Sequence, residues 1–96
     1  MIEVRKTATF TDWLRDLRDS RARARIASRV ERLEGGNFGD AKPVGGGVLE
    51  LRIDYGPGYR VYLTRHGAAV VILLCGGDKG TQDRDIARAK EMAADL

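Results

Sequence analysis

A chain of 96 residues makes one domain, which buries roughly 60 to 70% of the surface its unfolded form exposes, enough for a single modest core. With 43% apolar and 32% charged residues, the composition is that of a folded globule and excludes a disordered chain. A net charge of +3 and a pI near 9.4 favour an acidic partner only weakly, because net charge bears on association and not on fold.

Ile2 to Lys6 alternates apolar and charged residues, the period of a short, half-exposed strand, and these opening residues lack the apolar core of a signal peptide. A cytoplasmic protein is therefore expected. Thr9 is placed to cap a first helix through its hydroxyl, with Phe10, Trp13, Leu14 and Leu17 on one face and an end near Asp19. A second helix begins around Ser20, buries Ala22, Ile26, Val30 and Leu33, and stops at Gly35-Gly36. The glycine-rich stretch from Gly35 to Gly47 has few apolar anchors and reads as a mobile connector.

Beyond it, Leu49, Leu51 and Ile53 alternate with Glu50, Arg52 and Asp54, and Tyr59, Val61 and Leu63 alternate with Arg60, Tyr62 and Thr64. These are two half-buried strands joined by the turn Asp54 to Gly58. His66-Gly67 turns the chain again into the apolar run ending at Cys75, which suits a strand flanked by neighbours and is far shorter than the roughly 20 residues of a membrane helix. The single cysteine, Cys75, reads as a buried inert thiol and the single histidine, His66, as a surface turn residue. One of each supplies no clustered ligands, so no metal or cofactor is expected. Thr81 then caps a last helix with Ile86, Ala89, Ala93 and Leu96 on one face. The whole chain, residues 1–96, is expected to be one α+β domain of the order β-α-α-β-β-β-α. Its sheet is small, four-stranded and mainly antiparallel, with helices on one face, two of them N-terminal and one C-terminal.

Successive hairpins reverse direction, so Arg52, Arg60 and Lys79 are expected at one rim of the sheet. Two registers fit the turn. One sets Arg52 opposite Arg60, a pairing of like charges that calls for an anion, and the other sets Asp54 opposite Arg60 as an ordinary ion pair. Tyr62 shares the polar face two residues beyond Arg60, placed either to stack on a nucleobase or to pack. Gly76 to Gly80 leads from a strand to a helix start and presents amides to the same rim, though Lys79-Gly80 lacks the hydroxyl neighbour of a P-loop and ATP is not expected. On the second helix Arg21, Arg25, Arg29 and Arg32 form a stripe whose more common meaning is a solvated face or partner docking, with RNA contact the alternative.

Over nearly its whole length the chain resembles the RelE/ParE superfamily of bacterial toxin–antitoxin modules, in particular the HigB-like, phage-derived addiction module killer branch. The resemblance is carried by Phe10-Thr11-Asp12-Trp13-Leu14, Arg21 to Arg29, Gly45 to Arg52, Gly56-Pro57-Gly58-Tyr59-Arg60-Val61-Tyr62, and Leu74 to Lys79 followed by Gln82-Asp83. It implies a translation-inhibiting toxin, a metal-independent endoribonuclease that cuts mRNA on the ribosome through the RNA's own 2′-hydroxyl and is neutralised by a helix-turn-helix, HigA-like antitoxin. By that likeness Arg60 binds the scissile phosphate, Arg52 and Lys79 stabilise charge, and Tyr62, Arg25 and Arg29 contact RNA.

The chain departs from the pattern in lacking the C-terminal tyrosine of several RelE-like enzymes, and Tyr62 is the tyrosine available to take its place. An arginine is too basic to act readily as a base at neutral pH, so the group that removes the 2′-hydroxyl proton is left unassigned. Two other readings compete. The ParE-like branch blocks DNA gyrase by binding, and a phage-derived protein without catalytic function would only dock a partner.

Overall fold

Four of five strands and all three helices of the computed structural model, which describes residues 1–96, grow from the apolar spacing of the chain. Strand β1 (Glu3–Lys6) leads through Thr7 into helix α1 (Ala8–Asp16). Thr7, not Thr9, is the cap: its hydroxyl oxygen accepts from the Phe10 amide while its hydroxyl donates to the Leu74 carbonyl, tying the start of the helix to the sheet. The helix closes at Leu17, two residues earlier than the spacing suggests. Asp19 then caps helix α2 (Ser20–Glu34), accepting from the amides of Arg21 and Ala22, and the four expected residues Ala22, Ile26, Val30 and Leu33 are buried.

The stretch expected to be a mobile connector contains a strand, β2 (Ala41–Gly45), paired antiparallel with β3 (Val48–Ile53). Its pattern is weak because it pairs on one side only and turns no fully buried residue inward, and Pro43 is tolerated at such an edge. Strands β4 (Tyr59–His66) and β5 (Val70–Asp78) complete a five-stranded sheet of order β1-β5-β4-β3-β2, rather than four strands. All neighbours run antiparallel except β1 and β5, which pair in parallel from Glu3–Val70 to Lys6–Leu73. A one-turn 3-10 helix (Lys79–Thr81) then leads into helix α3 (Gln82–Ala94).

The sheet is covered on both faces, not one. Phe10, Ile26, Val30 and Leu33 from α1 and α2 pack on Leu51, Ile53, Val61, Leu63, Val71 and Leu73. On the opposite face Ala89, with Ile86, Met92 and Ala93 of α3, packs on Val48, Tyr62, Ile72, Leu74 and Cys75. Leu96, expected on that inner face, lies beyond the helix and is exposed. Each large apolar side chain withdrawn from water contributes about 1.5–3 kcal/mol.

One irregularity matters for the site. Tyr62 pairs with Cys75 but Leu63 pairs with Leu73, so Leu74 is an extra residue in β5, a bulge that puts Leu74 and Cys75 together on the α3 face. Gly76 and Gly77 follow opposite Val61 and Arg60, still in the ladder. They are glycines because of what lies above them. A methyl group on Gly76 would overlap the Trp13 ring, and one on Gly77 would overlap the Asp85 carboxylate.

Candidate anion-binding cleft

The β3–β4 register sets Arg52 opposite Arg60 and ends at Ile53–Tyr59, leaving Asp54 to Gly58 in the turn. Gly56 (φ 57°) and Gly58 (φ 81°) hold left-handed conformations that let so tight a turn close. The Lys79 amide donates to the Gly58 carbonyl (2.8 Å), which pins the exit of β5 against the turn. Arg52, Arg60 and Lys79 thereby line one cleft of about 490 Å³, together with Asp40, Asp54 and the turn residues Gly56, Pro57 and Gly58. The three cations converge as the alternation and hairpin order imply.

They are not equally free. The Arg52 guanidinium is paired with Asp40 (Nη2–Oδ1 2.9 Å), delivered by the segment entering β2. Lys79 is exposed and has no carboxylate partner within ion-pair distance. Arg60 is the most enclosed, with 12% of its side chain exposed, and donates from Nη1 to the Tyr59 carbonyl (3.1 Å). A charge so placed is screened less by water than an exposed one.

Behind Arg60 lies a residue that alternation alone assigns to solvent. Glu50 is fully buried because α3 covers this face of the sheet. Its Oε2 accepts from the Tyr62 hydroxyl (3.0 Å) and from Gln82 Nε2 (2.7 Å), while Oε1 has no donor and faces Arg60 Nε at 3.9 Å. Arg60 Nε is itself without an acceptor. The sequence signal for Glu50 is its place on the face shared with Arg52, Arg60 and Tyr62, but nothing in the strand says that a helix covers it.

Tyr62 corrects a second expectation. It is completely buried, and its hydroxyl is spent on Glu50, so no nucleobase can stack on it and it does not stand in for a C-terminal tyrosine at the cleft. Burial first, and then the bond to the Glu50 carboxylate, pushes the phenol far above its ordinary value. Arg29 is also taken: its guanidinium donates to the carbonyls of Arg52, Phe38 and Asp40, and desolvation lowers its pKa. It holds the segment before β2 against β3, with three of its five N–H groups committed to backbone carbonyls. Arg25 remains exposed, stacked over the Tyr55 ring at 4.7 Å.

The amides expected to point at the rim are engaged elsewhere. Gly76 and Gly77 belong to the ladder, and the Gly80 amide donates to the Asp78 side chain (2.7 Å). Thr81 makes no side-chain cap; its hydroxyl donates to Asp85 instead. Cys75 is buried as expected, its thiol pushed up to about 11 by burial and by the nearby Asp85 charge. His66 ends β4 at the far end of the sheet. A second cleft of about 480 Å³ beside α1 mixes Arg84 and Arg88 with Asp12, Asp78 and Asp85, an excess of carboxylates that does not favour an anion. No cluster of histidine, cysteine and carboxylate ligands gathers anywhere in the fold, and no helix is long and apolar enough to cross a membrane.

Comparison with known proteins gives two matches. The family model described as Phage derived protein Gp49-like (DUF891) matches residues 12–94. An uncharacterized protein of Haemophilus influenzae is 55% identical over 95 residues, spanning 99% of this chain and 96% of its own. No solved structure matches.

Proposed function

The chain belongs to the phage-derived Gp49-like protein family, and from that membership and the cationic cleft we propose that it is the toxin of a type II toxin–antitoxin module. Its activity in this reading is that of a HigB-like, ribosome-dependent endoribonuclease, restrained by a helix-turn-helix antitoxin. The observation that carries the reading is the meeting of Arg52, Arg60 and Lys79, from three separate segments, in one cleft.

Attack of a 2′-hydroxyl on the adjacent phosphate concentrates negative charge on the phosphoryl oxygens, and fixed cations aimed at that charge are the usual way a protein lowers such a barrier. Arg60 is the group best placed to hold the phosphate, being enclosed and poorly screened. Lys79, with no carboxylate of its own, is free to follow charge as it shifts to the leaving oxygen. Arg52 shares its charge with Asp40 and acts more weakly. Asp54 lines the same wall without a cationic partner and is suited to accept the hydroxyl proton.

A second reading has one observation in its favour. With Tyr62 buried, no tyrosine, histidine or cysteine lines the cleft, as a site that only binds, whether to gyrase or to another partner, would allow. Antitoxin-free protein added to programmed ribosomes decides between them. Codon-aligned mRNA ends that fall by about 100- to 1,000-fold in rate with Arg60→Ala support the nuclease. Intact message with inhibited gyrase supercoiling supports the other.

A further inference from the structure

Two buried polar atoms in this protein lack partners, and they face each other: Glu50 Oε1 and Arg60 Nε, 3.9 Å apart. A charge-assisted bond between such groups is normally about 2.7–2.9 Å, and an unsatisfied buried polar atom calls for a reason. The carboxylate is held in place, because Tyr62 and Gln82 both donate to its other oxygen. Nor does it meet water, since Glu50 is fully buried. The opposite end of the guanidinium looks outward: a Cβ on Gly58, in the cleft wall, would lie 3.4 Å from Nη1 and 3.9 Å from Nη2.

We propose that Glu50 is a positioning residue for Arg60, holding the Nε edge of the guanidinium at the back of the cleft so that the Nη end meets an incoming RNA phosphate. A planar guanidinium has two edges and an end, and fixing one edge fixes where the others point. The separation of 3.9 Å leaves play for the arginine to settle onto an anion without losing its rear anchor. Glu50 neutralises part of the charge that attracts the anion, so its contribution is to orientation and not to affinity. Tyr62 and Gln82 take their place behind it as the supports of the carboxylate. The catalytic consequence rests on the nuclease reading; the geometric one does not.

The experiment has a kinetic and a spectroscopic arm. Glu50→Gln keeps the shape of the side chain and removes its charge. It is expected to lower kcat on programmed ribosomes about 10- to 100-fold while KM moves by less than about 3-fold, with the enzyme concentration corrected for the folded fraction read by circular dichroism, because an unfolded population alone would also lower apparent kcat at constant KM. Gln82→Ala, at the half-buried start of α3, removes one support without touching the carboxylate and is expected to lower kcat in the same direction by less. In 15N-labelled protein the Arg60 Nε–Hε proton should exchange more slowly with solvent than those of exposed Arg25 and Arg32. An RNA analogue with 2′-deoxyribose at every position should shift the Arg60 resonance in wild type and do so less in either variant.

Unchanged kcat in Glu50→Gln, or an Arg60 Nε–Hε proton as labile as that of Arg25, overturns the assignment. Should wild-type protein leave mRNA intact, the nuclease reading falls by itself. The exchange and titration results would then decide the positioning role alone.

Discussion

Arg25 and Arg29 stand one helical turn apart on α2 and do unlike work. Arg29 ties three backbone carbonyls together, whereas Arg25 rests exposed on Tyr55. Arg29→Ala is therefore expected to cost about 2 kcal/mol in chemical denaturation by removing those three bonds, although the Asp40 carbonyl keeps the Arg52 amide, with Arg25→Ala close to neutral. If α2 touches RNA, Arg25→Ala should instead reduce the slope of log affinity against log salt by about 1; an unchanged slope places that face away from the nucleic acid. Gly77→Ala forces a methyl group into the Asp85 carboxylate and is expected to cost at least about 2 kcal/mol, read as a lowered melting temperature.

Alkali acts through Cys75 and Tyr62, both raised by burial above their ordinary values. Above the thiol's ordinary 9.0 the unfolded chain loses a proton that the folded one keeps until about 11, so stability falls with rising pH across that window. Tyr62 adds to the fall from about its ordinary 10.0 upwards. Denaturation midpoints measured from pH 8 to about 11 should drop, and Cys75→Ala should flatten the lower part of the curve. A flat wild-type curve would show that neither group is held protonated by the fold.

At the scale of elements, helices were the most readable feature of the chain. Spacing at i, i+3 and i+4 found every buried residue of α2, because a helix carries its own pattern whatever it packs on. Caps were less readable, since Thr7 and Thr9 are equally good hydroxyls and only the bond from Thr7 to Leu74, sixty-seven residues on, tells them apart. Thr7→Ala removes both that bond and the cap and is expected to cost about 1–2 kcal/mol, with Thr9→Ala near neutral; equilibrium unfolding compares them directly.

Strand β2 carries little pattern of its own for a related reason: an edge strand without fully buried residues is defined by its partner's hydrogen bonds and scarcely by its own side chains. Alternation likewise showed that Glu50, Arg52, Arg60 and Tyr62 share a face but not that α3 would seal Glu50 and Tyr62 beneath it. The rim of the cleft was thus readable, and its buried support was not.

Taken whole, the molecule is a three-layer stack with a ten-residue core on one side of the sheet and a six-residue core on the other. The smaller core is also the one that holds the Glu50 network, so damage there should show in both melting temperature and activity. Charge is distributed to similar effect. The clefts lined by Arg52, Arg60 and Lys79 and by Arg25, Arg29 and Arg32 share Asp54 at their border, so their cations lie on adjoining surface. Association with any polyanion should weaken steeply as ionic strength rises.

The parallel pairing of β1 with β5 sets an order of assembly during synthesis. Glu3 must wait for Val70 before its strand has a neighbour, and Lys79 is added later still. At about 5–20 residues per second, several seconds separate the first strand from the last cation of the cleft. A nascent chain is therefore chemically incomplete until its final stretch emerges, and a copy truncated before Lys79 lacks one of the three cations of the cleft.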